Sequence, residues 1–313
     1  MSGLASLVLT KSEVNILDQH MTRTLSNIQK LYKNTPHSFI LFMAGSLPCT
    51  AILHMRCMTI FGMITRLPEN ILNKIARNML TVGMPSSKSW FLEIREICLM
   101  YNLPHPLELL NSPISKLAFK KLVKTHVIDY WEQKLRSEAD LLPSLVYFKP
   151  QFMSLTAPHP IWQTAGSNPY EVSKAIVQAR MLSGRYRTES LCHHWSSNRP
   201  GWCLSGTCDQ TEESLEHILI ECPAYNHTRG KLLCIWLSES NEVVSQILRK
   251  IIFEESMEDQ LHFLLDCSTM PCVIRATQHY GAQLLARLFH LTRTWCFALH
   301  RDRLRLLGRW NLQ

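Results

Sequence analysis

Residues 202–225, WCLSGTCDQTEESLEHILIECPAY, bring together three cysteines and one histidine in the order Cys203, Cys208, His217 and Cys222. This Cys-x4-Cys-x8-His-x4-Cys pattern constrains the fold more than any other stretch, because it supplies the four soft donors of a tetrahedral structural zinc site. The first pair is wider than the common two-residue spacing. Gly206 between its members offers a flexible turn that makes the wider spacing workable. The second pair meets a geometric obstacle. TEESLEHILIEC reads as a helix with Thr211 as its cap and glutamates at the positive end. Residues five apart on a straight helix point roughly 140° apart, too far for one ion. Pro223 removes the obstacle by pushing Cys222 out of the α region, so that the helix stops near Ile220 or Glu221 and Cys222 swings back towards His217. With every position filled by protein, the expectation is one closed, structural Zn2+ rather than a catalytic one. The alternative is that the cysteines are small buried hydrophobes and His217 a surface histidine. Cys192, His193, His194 and His227 lie near in sequence and are weaker candidates for a second metal.

The chain has 313 residues, 46% of them hydrophobic, which suits a sizeable core divided over two units. Its 11 cysteines are odd in number and no secretory signal precedes them. The thiols are therefore expected to be reduced, in an intracellular protein of the nucleus or cytoplasm, and clustered thiols read better as metal ligands than as disulfides. No run approaches a membrane span, so no membrane partner is expected. A net charge of +8 suits a polyanionic partner such as RNA or DNA, and equally an ordinary basic protein.

Apolar periodicity predicts a mainly α fold. TKSE at 10–13 is a capping box, followed by Val14, Leu17, Met21, Leu25, Ile28 and Leu31 at helical spacing. PCTAILHMRCMTIFGMITRL predicts a buried helix interrupted near Gly62. Asn70 caps a short helix. Trp90, Ile94, Ile97, Cys98 and Tyr101 share one face of another. Ser112 with Pro113 is expected to open a long helix towards Ala139, with Leu117, Val123, Val127, Tyr130 and Leu135 inward. Lys116, Lys120 and Lys124 recur every four residues along it, a solvated face or a phosphate-contacting one. Residues 140–168, with four prolines among apolar residues, read as an extended surface connector and domain boundary. Asn168-Pro169 starts a helix that Gly184 can end. A final helix from about Ala276 carries Arg287, Arg293, Arg301, Arg303, Arg305 and Arg309 against one acid, Asp302. The regions expected are thus 1–139, 140–168, 169–230 and 231–313.

The segment MLSGRYRTESLCHHWSSNRPGWCLSGTCDQTEESLEHILIECPAYNHTR resembles the C-terminal zinc-knuckle region of non-LTR (LINE-type) retrotransposon reverse transcriptases. The shared features are RYRT, HWS, the Cys/Cys pair, LEH and CPA. Upstream, MAGSLPCTAILHMRCMTIFGMITRL and SSKSWFLEIREICLMYNLPHPLELL are similar to the thumb and post-thumb of the same proteins, so the resemblance covers nearly the whole chain. It implies a helical thumb-like unit, a zinc knuckle held by Cys203, Cys208, His217 and Cys222, and a helical tail. It also implies that the catalytic palm, whose paired aspartates bind two metal ions, is missing, since the chain has no Asp-Asp pair. Residues 231–313 lack the Pro-Asp…Asp/Glu-x-Lys set of the family's restriction-like endonuclease. Arg185 and Arg187 of RYRT become candidate phosphate contacts, and Tyr186 a stacking partner or a core aromatic.

Two functions follow as expectations. One is a non-catalytic nucleic-acid-binding remnant, meeting RNA or DNA through Lys116, Lys120, Lys124, Arg185, Arg187, Arg301, Arg303 and Arg305. Without its palm, the thumb-like part would expose apolar faces that drive self-association. The other is a zinc-stapled helical interaction or structural module with its charges merely solvated. No nucleophile elbow, phosphate loop or metal-carboxylate motif points to an autonomous enzyme.

Overall fold

The computed structural model describes residues 3–82, 89–196, 198 and 200–308. Its α-helices among these residues are α1 (Lys11–Ile28), α2 (His37–Ala44), α3 (Cys49–Thr65), α4 (Ile71–Val82), α5 (Trp90–Met100), α6 (Pro106–Asn111), α7 (Lys116–Asp140), α8 (Pro160–Gln163), α9 (Pro169–Leu182), α10 (Glu189–Trp195), α11 (Asn226–Leu237), α12 (Glu242–Phe253), α13 (Met257–Asp266), α14 (Pro271–Tyr280) and α15 (Ala282–Leu306). The described residues contain no strand, only one isolated antiparallel bridge between Trp202 and Glu212. The fold is mainly α, as the periodicity predicts. No single described helix is long and apolar enough to cross a membrane; α2 and α3 pass such a test only when taken together, and most of their residues are core.

The chain forms two compact units, one of Met1–Leu25, Gly45–Glu138 and Ser154–Ala157, the other of Ser26–Ala44, Ala139–Met153 and Pro158–Gln313. Residues 26–44, read in sequence with the first region, thus belong to the second unit.

In the first unit the Thr10/Glu13 capping box forms as expected: Thr10 N–H donates to Glu13 Oε2 at 2.7 Å and Glu13 N–H to Thr10 Oγ1 at 3.3 Å. Asn70 Oδ1 caps α4 by accepting from Leu72 N–H at 2.8 Å. Helix α3 runs without the interruption expected at Gly62. The glycine is there for packing: a Cβ would sit 2.5 Å from Phe119 of α7. Ser112-Pro113 does not open α7 either. Ser112 closes α6, donating its N–H to Glu108 O at 2.8 Å, and α7 begins at Lys116. The buried face of α7 in this unit is Phe119, Val123, Val127, Trp131 and Leu135, whereas Leu117 is 80% exposed. Tyr101 ties the unit together, its hydroxyl accepting from Trp131 Nε1 at 2.9 Å and meeting His54 Nδ1 at 2.8 Å. Helix α4 leaves Ile71, Ile75 and Val82 exposed.

In the second unit α15 is the central rod, with α9, α11, α13 and α14 packed along it. Leu288, Phe289, Cys296 and Leu299 of α15 are fully buried, and Trp295 packs against Trp236 with centroids 4.8 Å apart and ring planes tilted by 46°. The arginine-rich C-terminal helix is two helices, because Gly281 at φ 80° breaks the chain between α14 and α15. The proline-rich segment 140–168 is not a surface connector. Its prolines head short turns at Pro143–Leu145, Pro150–Phe152 and α8, while Leu145, Phe148, Met153, His159 and Ile161 are buried. Asn168 caps α9 through Tyr170 N–H at 2.9 Å, and Gly184 ends it at φ 64°.

Candidate metal centre

The four donors come from two short pieces of backbone. The first is a loop between Cys203 and Thr211, closed by Cys203 N–H to Thr211 O at 2.8 Å and Glu213 N–H to Gly201 O at 3.2 Å. Within it, Cys208 N–H bonds to Ser205 O at 3.2 Å, so a tight turn carries Cys208 back beneath Cys203. Positive φ falls on Gly201 (79°) and Gln210 (49°), not on Gly206, whose Cβ position is open space. The loop does not need the glycine expected to make it workable.

The second piece is His217–Cys222. The helix does not simply stop before Cys222. It widens into one π-turn over His217–Glu221, in which Cys222 N–H donates to His217 O at 2.7 Å. Cys222 then leaves the helix at φ −51°, ψ 118°, the extended ψ that Pro223 imposes on its predecessor. The extra residue in the turn brings two side chains five positions apart onto one side.

The result is a compact Cys3His group in which all four donor atoms lie within 4.8 Å of one another. Cys203 Sγ is 3.7 Å from Cys222 Sγ, Cys208 Sγ is 3.5 Å from Cys222 Sγ, and His217 Nε2 is 3.4 Å from Cys208 Sγ. Cys203, His217 and Cys222 are buried and Cys208 is half-buried. These residues could hold one metal ion. The expected ligand set is therefore gathered, and neither Cys192, His193, His194 nor His227 joins this or any other such group among the described residues.

The thiols differ in proton affinity. Burial opposes ionisation of Cys208, but hydrogen bonds from Ser205 and the neighbouring thiols and imidazole outweigh it and hold the pKa down at about 7. Burial, reinforced by Cys208 and Cys203, pushes Cys222 up to about 12. His217 turns Nε2 to the sulfurs. Its Nδ1 has no hydrogen-bond partner and faces Glu221 Oε2 at 3.6 Å.

Residues outside the pattern hold the centre in place. Trp295 Nε1 donates to Leu219 O at 3.1 Å and pins the π-turn to α15. Glu213, just after the loop closure, makes a two-pronged ion pair with Arg303 (Nε–Oε1 3.0 Å, Nη2–Oε2 2.7 Å) and accepts Glu189 N–H at 2.6 Å. Arg229 is 7% exposed and donates from Nη2 to Cys222 O at 2.5 Å. No sequence pattern marks Glu213 or Trp295, whose partners lie 90 and 76 residues away.

The candidate nucleic-acid contacts divide. Lys116, Lys120 and Lys124 are exposed on α7 in the first unit. In the second unit Arg187 and Arg305 are exposed, while Arg185 and Arg301 are half-buried. Arg187 lies 5.0 Å from the ring centre of Tyr32, with Arg180 4.9 Å from the same ring. Tyr186 and Arg303 are corrected to interior residues. The Tyr186 ring is buried, its hydroxyl 2.7 Å from His300 Nδ1, and the Arg303 guanidinium lies over that ring while engaging Glu213. Arg293 is also internal, donating to Thr164 Oγ1 at 2.6 Å and to Ile161 O at 3.3 Å. Arg287 pairs with Glu239 at 2.6 Å and Arg305 with Asp302 at 3.1 Å. Arg309 lies outside the described residues. Much of the cationic tail is thus committed within the protein. No protein-family model matches the chain, and no curated protein or solved structure matches it either.

Proposed function

We propose that the Cys3His group holds one structural Zn2+, and that the chain is a non-catalytic module binding RNA or DNA mainly through phosphates. On this reading it corresponds to the post-catalytic part of the LINE-type reverse transcriptases it resembles. The donor spacing carries the metal assignment. Around a tetrahedral ion with Zn–S near 2.3 Å and Zn–N near 2.0–2.1 Å, donor atoms stand about 3.8 Å (S to S) and about 3.6 Å (S to N) apart. The closest pairs here are separated by 3.5–3.7 Å and 3.4 Å. Four protein donors leave no coordination position for substrate, which makes the ion a staple for a loop too small to fold alone. Thiolate ligands suit a reducing compartment, nucleus or cytoplasm.

The nucleic-acid role is supported by the net charge of +8 and by the exposed cations Lys116, Lys120, Lys124, Arg187 and Arg305. Arg185 and Arg301 have only part of their surface to offer. The exposed Ile71, Ile75 and Val82 offer a face for self-association. The burial of Tyr186, Arg303 and Arg293 favours the second reading, a zinc-stapled interaction or structural module with no nucleic-acid role.

Zinc stoichiometry of the chain and of Cys222→Ala, with titration of RNA and duplex DNA at two salt concentrations, tests both. Less than one zinc per unaltered chain sinks the metal assignment. Affinity falling steeply with salt, with a slope near 0.9 per duplex phosphate contacted, is expected of the nucleic-acid reading. No binding at low salt removes it and leaves the interaction module.

A further inference from the structure

We infer that Arg229 is the counter-charge of the Cys3His centre, the residue that lets three thiolates and a dication be buried together. This rests on the zinc reading and adds a role for a residue outside the ligand set. A Zn2+ with three thiolates and a neutral imidazole carries a net charge of about −1. Cys203, His217 and Cys222 are 4%, 3% and 0% exposed and Cys208 is half-buried, so most of that charge is withdrawn from water. A buried net charge is costly unless an opposite charge lies close by.

Arg229 is placed to supply it. The chain leaves Cys222 through the short turn Pro223–Tyr225 and enters α11, whose first turn carries Arg229 back over the last ligand. The side chain is 7% exposed. Nη2 donates to Cys222 O at 2.5 Å and to Asn226 Oδ1, and Nη1 has no hydrogen-bond partner. Burial pulls the guanidinium below its ordinary pKa, and the nearby Cys222, Tyr225, Cys208 and Glu221 partly offset that by favouring its charge. Hydrogen bonding alone could be met by a neutral amide. An arginine keeps its charge when buried. Arg303, the other buried cation beside the loop, is already balanced by Glu213.

The test measures zinc affinity of the full chain by chelator competition in Arg229→Gln, which keeps an amide donor without charge, and Arg229→Lys, which keeps the charge. Gln is expected to weaken zinc binding about 10- to 100-fold, the range for outer-shell partners of metal ligands, and Lys to recover most of it. A third variant separates charge from packing. Cys208→His makes the donor set Cys2His2 and its complex neutral, so Arg229→Gln in that background should cost little. Gln binding zinc as tightly as the unaltered chain overturns the inference. Equal losses in Gln and Lys, or the same loss in the Cys208→His background, also overturn it and leave Arg229 a packing residue. Less than one zinc in the unaltered chain fails the zinc reading itself, whereas full zinc with an unaffected Gln variant fails only the counter-charge.

Discussion

Cys222 donates its backbone N–H to His217 O across 2.7 Å, so the two donors that close the metal centre also close one π-turn. A regular α-helix would bond Cys222 to Ile218 and point its side chain roughly 140° away from His217. The π-turn is held from outside by Trp295 on Leu219 O and from the chain by Pro223. Pro223→Ala removes the constraint on Cys222 and restores a backbone N–H that can extend the helix. The expected outcome is about tenfold weaker zinc binding with helix content unchanged or slightly raised, read by chelator competition and far-UV circular dichroism.

Two glycines that look alike in sequence should respond in opposite ways. At Gly184, φ is 64° and a Cβ would lie 1.8 Å from Ser144 O, a backbone atom that cannot step aside. Gly184→Ala is expected to cost ~3 kcal/mol or more, from left-handed strain plus overpacking. At Gly206 the Cβ position is open and φ is not in the left-handed region. Gly206→Ala should change stability by less than about 0.5 kcal/mol and leave zinc binding intact. Urea unfolding of the two variants checks both.

The contrast shows what was legible in the sequence. Signals that act within one turn were readable: the Thr10/Glu13 box, the Asn70 and Asn168 caps, the Gly184 stop, and four donors with a proline after the last. What failed depended on distant partners. Gly62 reads as a helix break but is a contact surface for Phe119, 57 residues on. The prolines of 140–168 read as a connector because nothing local shows that Phe148 packs on Phe39 with centroids 4.9 Å apart. Ser112-Pro113 is a sound helix opener, yet it ends α6, because His105-Pro106 opens a helix first. The basic tail misled for the same reason. Charges counted along the chain say nothing of Glu213, which neutralises Arg303 from 90 residues away.

That ion pair should dominate local stability. Both side chains are at most 5% exposed, and Glu213 also accepts Glu189 N–H. Removing one partner leaves a buried guanidinium unpaired, so Glu213→Gln is expected to cost about 3–5 kcal/mol. The solvent-facing Lys250–Glu255 pair, 3.1 Å apart with 43% and 25% of its side chains exposed, is the comparison. Glu255→Gln should shift the unfolding midpoint far less, because water screens the exposed pair. Urea midpoints at pH 7.5 decide it, and similar values for the two variants would contradict the buried-pair account.

Acid should destabilise the second unit through His300. Burial, with Arg303 and Arg180 adding positive potential, lowers its pKa from 6.5 to about 4, while its Nδ1 meets the Tyr186 hydroxyl at 2.7 Å. The unfolded chain binds a proton at this residue near pH 6.5 and the folded chain does not until about pH 4. Between these values the unfolded state holds more protons, so the stabilisation is fully present above pH 6.5, declines as pH falls, and is gone below about 4. From pH 7.5 to 4.5 this one group removes about 2–3 kcal/mol. Carboxylates and the thiolate centre also respond to acid, so the measurement is a difference. His300→Gln should start less stable at pH 7.5 and lose about 2–3 kcal/mol less than the unaltered chain on the way to pH 4.5. Parallel stability curves for the two proteins across that range would show that the buried imidazole is not the titrating group.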